Sequence, residues 1–253
     1  MTPWAIGGIV FVCVFGGALL GMYLRTRLSQ HHLSSESKDL VRLGVGLIGT
    51  MSALVLGLLV ASAKGSYDTQ RSELIQMSSK IVVLDRVLAH YGPETKEARD
   101  LLRLTVTGML EQFWPGSVPR RVERKLPGTG GAGESFFDKV QALAPQNDAQ
   151  RSLQTQAVSL AMDMGQTRWL MFEQAESSIS MPLLVVVVFW LTIIFMSFGL
   201  FAQPHALAIG VLFISAISVS AAIFLILELD QPFGGLIQIS SAPLRNALAL
   251  LGR

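Results

Sequence analysis

Residues 40–63 read LVRLGVGLIGTMSALVLGLLVASA, a long and almost uninterrupted apolar run. It exceeds the roughly 20 apolar residues that a helix needs to cross a bilayer. No proline interrupts the chain between this run and Pro93, so we expect one helix to leave the membrane and continue. Beyond Lys64 the apolar residues recur at spacings of three and four, which is typical of a helix packed on other helices. They are Leu74, Met77, Ile81, Leu84, Leu88 and Tyr91.

The composition is that of an integral membrane protein. Of the 253 residues, 51% are hydrophobic and only 15% are charged, whereas about 25% are charged in an average soluble protein. The net charge of +2 is too small to predict a nucleic-acid partner. Because Cys13 is the single cysteine, one chain can form neither a disulfide framework nor a thiolate metal site.

Three further apolar runs reach the length of a membrane span, at residues 4–24, 182–202 and 206–227. No Lys or Arg precedes the first run and no small-residue cleavage pattern follows it, so we expect a retained helix rather than a signal peptide. Four spans place both termini on one side of the membrane.

The sequence therefore predicts an all-α integral membrane protein with four transmembrane helices and a helical bundle between spans two and three. The predicted domains are spans one and two in residues 1–63, a helical extramembrane domain in 64–180, spans three and four in 181–229, and an amphipathic tail in 230–253.

The region between spans two and three is predicted to be entirely helical. Gly92-Pro93-Glu94 ends one helix and begins the next. We expect a loop over residues 116–135, a short helical piece over 136–143 and a last helix over 148–176. The C-terminal tail is expected either to lie at the membrane interface or to fold back on the bundle.

Orientation is predicted from the basic residues near the span ends. The loop after the first span carries Arg25, Arg27, Lys38 and Arg42, whereas the preceding terminus carries none. Because positively charged loops stay in the cytoplasm, this count places the helical domain and both termini outside. Basic residues near the opposite span ends argue against this placement, namely Lys64, Arg71, Arg168, Arg245 and Arg253.

One face of the second span carries only small residues, which are Gly46, Thr50, Ala53, Gly57 and Ala61. The same face continues to three charged residues, Lys64, Asp68 and Arg71. Small residues let helix backbones approach closely in lipid, which favours a packing face. A narrow stripe that ends in charges is also typical of a pore wall. The two interpretations are compatible, because a ring of such helices does both.

Other motifs favour structural roles. The G-x-G-x-x-G pattern at residues 128–133 lacks the preceding strand of a dinucleotide site, so we interpret it as a loop. The basic cluster at residues 120–125 and the pair His31-His32 are expected in solvated loops. Serines in spans three and four are expected to bond within or between helices, with a polar conduit lining as the alternative. They are Ser197, Ser215, Ser218 and Ser220.

Catalytic constellations are absent from the sequence. No serine or cysteine has the nucleophile–base pattern of a hydrolase, and no histidine or acid pattern predicts a metal or cofactor site. The spans also lack the buried acidic or histidine relay of a proton-coupled pump. We therefore expect neither an enzyme nor a cofactor, and a transporter is disfavoured.

Four segments together resemble the bacterial bestrophin-like membrane-protein family, a four-span family whose domain has no assigned function. They are residues 47–64, 66–71, 84–92 and 228–237. The family is distantly similar to bestrophins, which are pentameric anion channels with a pore lined by the second span. This chain departs from bestrophins in having Thr69-Gln70 where they carry a Trp-Trp pair, and in lacking a carboxylate cluster that resembles their calcium clasp. The bestrophin helical body is cytoplasmic, opposite to the charge-based placement above.

Two hypotheses follow. The first is a homo-oligomeric, anion-leaning ion channel in a bacterial inner membrane, with the small-residue stripe facing the pore and Lys64, Asp68 and Arg71 at its mouth. Its partners would be the lipid bilayer, further copies of itself and inorganic ions. The second is a non-conducting membrane sensor or assembly protein whose helical domain binds a partner.

Overall fold

The computed structural model describes residues 2–27, 35–115, 131–174, 179–203 and 205–252. Within these ranges the chain forms helices joined by turns, without a strand. The helices are α1 (Pro3–Arg27), α2 (Ser35–Tyr91), α3 (Lys96–Phe113), α4 (Gly131–Gln141), α5 (Asp148–Gln174), α6 (Met181–Phe201), α7 (Ala206–Leu229) and α8 (Ala242–Leu250), with a 3₁₀ turn at Pro93–Thr95. Four of them, α1, α2, α6 and α7, are long and apolar enough to cross a membrane. The predicted all-α, four-span class is confirmed.

The chain divides into two compact units. We call the first, Met1–Tyr67 with Ser177–Ile237, the membrane unit, and the second, Asp68–Glu176 with Gln238–Arg253, the bundle unit. Helix α2 contributes residues to both. It is unbroken at Lys64 and Gly65, as the absence of a proline in this stretch predicts.

The membrane unit is built around α1, which packs against both α6 and α7. Val14, Val187 and Ile223, one from each helix, are completely buried in a shared apolar core. In a bilayer the hydrophobic effect contributes little to the stability of this core, because lipid tails are as apolar as the side chains. Close van der Waals packing therefore has to hold these helices together.

Glycines permit the close approach of α1 and α6. A Cβ on Gly21 would overlap the carbonyl oxygen of Met196, and a Cβ on Gly199 would overlap the carbonyl oxygen of Ala18. Both obstacles are backbone atoms, which cannot swing aside as the end of a side chain can. The two helices therefore keep this separation only while both positions are glycine.

The bundle unit buries the face of α2 that the sequence predicts. Leu74, Met77, Ile81, Leu84 and Leu88 are completely buried and Tyr91 is nearly so. Helix α2 then ends at Gly92, whose φ of 141° suits glycine. The three- and four-residue periodicity thus located the buried face, and Gly92-Pro93 located the end of the helix, whose last residue is Tyr91.

Helix α4 differs from the prediction. It begins at Gly131, within the segment that the sequence predicts to be a loop. Its residues Phe136 and Val140 are buried, and the helix packs on α3 and α5. Tertiary packing of this apolar face outweighs the low helix propensity of Gly131 and Gly133.

The predicted C-terminal tail is divided between the two units, because residues up to Ile237 belong to the membrane unit and Gln238–Arg253 to the bundle unit. Helix α8 packs against α3. The indole Nε1 of Trp114 donates to the carbonyl of Ile239 at 2.9 Å, and the Gly252 N–H donates to Asp85 Oδ2 at 3.2 Å. These two hydrogen bonds fix both ends of the segment.

Candidate functional site

Helix α2 presents three distinct faces in the membrane unit. One face packs on the apolar core through Leu59 and Ala63, which are buried, with Val45, Ile48 and Val55 partly buried beside them. The other two faces of α2 are exposed on the single chain.

The small-residue stripe is the first exposed face. Gly46, Thr50, Ala53, Gly57 and Ala61 are all exposed. At 3.6 residues per turn they fall within an arc of roughly 80°. A Cβ added to Gly46 or Gly57 would meet no atom within 4 Å. Close packing inside the protomer therefore does not require these residues to be small.

The second exposed face carries large leucines. Leu43 and Leu54 keep 75% and 74% of their surface exposed, and Leu47 and Leu58 lie on the same side of the helix. This face is offset from the stripe by roughly a quarter of a turn. The leucine face suits contact with lipid or with a neighbouring chain. The small-residue stripe lacks such bulky side chains, so its surroundings are expected to differ.

Lys64 ends the stripe within the membrane unit. It is exposed, and its ammonium lies 5.2 Å from the centre of the Tyr67 ring, within the range of a cation–π contact. Residues 43–63 contain no charged side chain, so Lys64 is the first charge that the stripe reaches in this direction. The other two predicted mouth charges, Asp68 and Arg71, are exposed in the bundle unit.

The predicted roles of the serines divide. Ser215 is half-buried and Ser218 is exposed, and the Ser218 hydroxyl donates to the carbonyl of Ile214 at 3.0 Å within its own helix. Ser197 and Ser220 are buried. The Ser218 bond is the intrahelical pattern that the sequence favours over a conduit lining.

Several predicted motifs lie outside the described residues. These are His31-His32, the basic cluster at 120–125 and the first half of the glycine motif at 128–130. The second half of that motif, residues 131–133, forms the first turn of α4. In the described ranges no group of three or more His, Cys, Asp or Glu residues could hold a metal ion.

Glu228 is a feature that sequence reasoning missed. Its side chain is buried, and its Oε2 accepts a hydrogen bond from the Leu236 N–H. Gly235 has a φ of 73° and leaves no room for a Cβ beside this carboxylate. The sequence carries this acid at the end of a span and the pair Gly234-Gly235 in the turn that follows, and the structure brings them together.

Two titratable groups of the bundle unit are perturbed. Hydrogen bonds from Arg99 Nε and Nη2 to the two carboxylate oxygens of Asp85, at 2.7 and 2.9 Å, raise the pKa of Arg99 above its ordinary value. Burial, followed by the charge of Glu94, raises the pKa of Tyr91. Neither arrangement includes a nucleophile, and both serve structure.

The family model described as the bestrophin-like domain matches residues 12–244. Among curated proteins, none matches this sequence.

Several solved structures share this fold. A crystal structure of a bestrophin homologue from Klebsiella pneumoniae matches with a TM-score of 0.65 and 13% identity, over 96% of each chain. A form of a Klebsiella pneumoniae bestrophin homologue with one mutation matches with a TM-score of 0.67 and 14% identity, over 97% of this chain and 98% of that one. A further structure, described as a membrane protein, matches with a TM-score of 0.65 and 14% identity, over 96% and 99%.

Proposed function

The chain belongs to the bestrophin-like family, and from that premise we propose that it is a homo-oligomeric ion channel whose pore is lined by α2. The observation that carries the proposal is the exposure of the entire small-residue stripe on the protomer. Gly46 and Gly57 have open space beyond their Cα atoms. A lipid-facing position gains nothing from being small, since the adjacent leucines are stable in lipid. Small residues on such a face leave room for a closely packed neighbouring copy and for a narrow aqueous path.

Oligomerisation follows from the same geometry. A single α2 helix offers one wall, whereas several copies around an axis would enclose a path lined by five small residues per chain. The leucine face beside the stripe would then meet the adjacent copy or the lipid. Van der Waals packing between such faces is the main attraction available between helices in a bilayer.

An anion preference is proposed from Lys64. Because residues 43–63 carry no charge, copies of Lys64 would be the first charged ring along the stripe. A ring of ammonium groups at a constriction attracts anions and repels cations. Asp68 and Arg71 are proposed to contribute opposing charges beyond it.

Ion flux into sealed vesicles tests this role. The purified protein, reconstituted into liposomes, should pass chloride more readily than potassium, and Lys64→Glu should reverse that preference. Lys96→Glu is the matched control, because Lys96 is an exposed residue at the start of α3. Unchanged ion selectivity in Lys64→Glu would show that Lys64 does not line the pore. Absence of flux together with a stably co-purifying partner would favour the non-conducting sensor or assembly protein instead.

We place the protein in a bacterial inner membrane, with the bundle unit and both termini outside. A cysteine introduced at exposed Ala142 in a Cys13→Ser background tests the orientation. Labelling of intact spheroplasts by an impermeant maleimide supports this placement. Labelling only after the membrane is opened places the bundle unit in the cytoplasm.

A further inference from the structure

The bundle unit contains a cavity of about 560 Å³ between α3, α4 and α5. Small-molecule sites typically measure about 300–1,000 Å³ and combine apolar walls with a few polar groups. The apolar walls here are formed mainly by Met109, Phe113, Phe136, Phe137, Met164 and Trp169. These walls suit the apolar body of a ligand.

Arg168 supplies the polar anchor of this cavity. Its Nη2 donates to Gln112 Oε1 at 3.4 Å. Its Nη1 lies 3.6 Å from the point where a Cβ on Gly133 would be, and the methyl of buried Thr105 lies 3.9 Å from the same point. These separations are ordinary van der Waals distances, so the guanidinium packs beside Gly133 on the wall of the cavity.

The electrostatics of the cavity favour an anion. Among the residues that the structure describes, Arg168 meets no carboxylate at ion-pair distance and only the neutral amide of Gln112. Glu134 and Asp138 also line the cavity, but both are exposed, so water screens their charges. Arg168 is half-buried, and a charge in the less polar environment acts more strongly on a bound ligand.

We propose that this cavity binds a small organic monocarboxylate with a flat apolar body. The guanidinium fork of Arg168 would receive the carboxylate, since its planar pair of donors matches the two carboxylate oxygens. The aromatic and methionine side chains would enclose the body of the ligand. This site is independent of the proposed pore and is tested by binding rather than by flux.

Calorimetric titration of the full-length protein in nanodiscs tests the ligand class. The probes are 2-naphthoate, its uncharged analogue 2-naphthamide and the cation 2-naphthylmethylammonium, which share one apolar body. We expect 2-naphthoate to bind saturably and at least tenfold more tightly than the other two. Equal affinities, tighter binding of the cation, or no saturable binding of any probe would each overturn the proposal.

Two variants locate the site, each with a control on the same helix. Arg168→Gln should weaken 2-naphthoate binding about tenfold and leave 2-naphthamide unchanged, whereas Arg151→Gln, at an exposed position outside the cavity, should change neither. Gly165 lines the cavity with open space beyond its Cα, so Gly165→Leu should abolish binding of all three probes.

Gly165→Leu also keeps the test independent of folding. Leucine is a better helix former than glycine, so thermal unfolding should be unchanged or occur at a higher temperature. Gln166→Leu, an exposed neighbour outside the cavity, is the control. A folded Gly165→Leu protein that still binds 2-naphthoate normally would exclude this cavity as the site.

Discussion

The glycines of α1 and α6 and the glycines of α2 belong to the same membrane unit but have opposite surroundings. At Gly21 and Gly199 an added Cβ would overlap a carbonyl oxygen of the facing helix. At Gly46 and Gly57 it would meet nothing within 4 Å. The first pair is explained by packing within the protomer. The second pair has no such explanation and directs attention to what lies outside the protomer.

Small residues in a membrane span therefore have two separable causes. Where the constraint is intramolecular, substitution should damage the fold. Where it is imposed by a neighbouring copy or an aqueous path, substitution should leave the protomer intact and change assembly or flux. Measurements of stability and of flux on the same variants therefore distinguish the two sets of glycines.

The largest effect is expected for Gly199→Ala. The new methyl group would overlap the Ala18 carbonyl, so α1 and α6 must separate or shift. Overpacking of this kind costs about 3 kcal/mol or more when backbone has to move. For a chain of this size that corresponds to a fall of about 6–12 °C in melting temperature, measured by tryptophan fluorescence in detergent.

Gly8→Ala is the matched control for Gly199→Ala. Gly8 lies in α1 with open space beyond its Cα, so alanine should be neutral or slightly stabilising. If both variants melt at the wild-type temperature, the close approach of α1 and α6 is not required for stability.

Gly57→Leu tests the other side of the comparison. The leucine side chain has room on the protomer, and it replaces glycine by a better helix former, so the melting temperature should not fall. If the stripe lines the pore, chloride flux into liposomes should drop at least tenfold. Gly44→Leu is the control, because Gly44 is exposed with similar open space but lies off the stripe. Equal flux in the two variants would argue against a pore along this face.

Gly235→Ala extends the comparison to a turn, where conformation as well as space is limiting. Gly235 has a φ of 73°, and a Cβ there would overlap the Glu228 carboxylate. We expect a loss of about 1–2 kcal/mol from the left-handed backbone alone. Gly234→Ala is the adjacent control, since a Cβ at Gly234 meets nothing within 4 Å. Equal unfolding midpoints for the two variants in a denaturant titration would show that the turn adapts.

The sequence predicts the helices well because their signals are local. Span lengths depend on runs of apolar residues, and the buried face of α2 follows from the spacing of Leu74, Met77 and Ile81. The end of α2 follows from Gly92 and Pro93. Each of these features is encoded within a few turns of the helix that it describes.

Contacts between distant segments could not be predicted in the same way. The spacing of Gly17 and Gly21 indicates a close-packing face, but nothing in it identifies Gly199 as the facing residue. The predicted start of α4 was wrong, because the glycine-rich composition around Gly131 predicts a loop. Packing of Phe136 instead stabilises a helix there. The cavity beside Arg168 arises from three helices and has no motif in any of them.

The orientation prediction illustrates a limit of counting charges. Arg25 contributes to the count after the first span. In the structure its guanidinium donates to the last carbonyls of α6, at Phe201 and Ala202, and so caps that helix. A basic residue that caps a neighbouring helix has a structural reason to be there, independent of the membrane side that it marks.

The smallest effect is expected for Tyr91, a buried polar residue, in contrast to the tightly packed glycines Gly21 and Gly199. Within the described chain its hydroxyl has no hydrogen-bond partner, so Tyr91→Phe should change stability by less than about 1 kcal/mol at neutral pH. Burial and the charge of Glu94 hold its pKa above the usual value of 10.0. The unfolded chain therefore loses the Tyr91 proton at a lower pH than the folded protein does. The contribution of this proton to stability is complete below about pH 10 and is lost as the pH rises through the raised pKa. Denaturant titrations between pH 8 and 11 should show that the wild type loses more stability above pH 10 than Tyr91→Phe does. If the free energies of unfolding of the two proteins change in parallel with pH, the phenol is solvated in the folded protein.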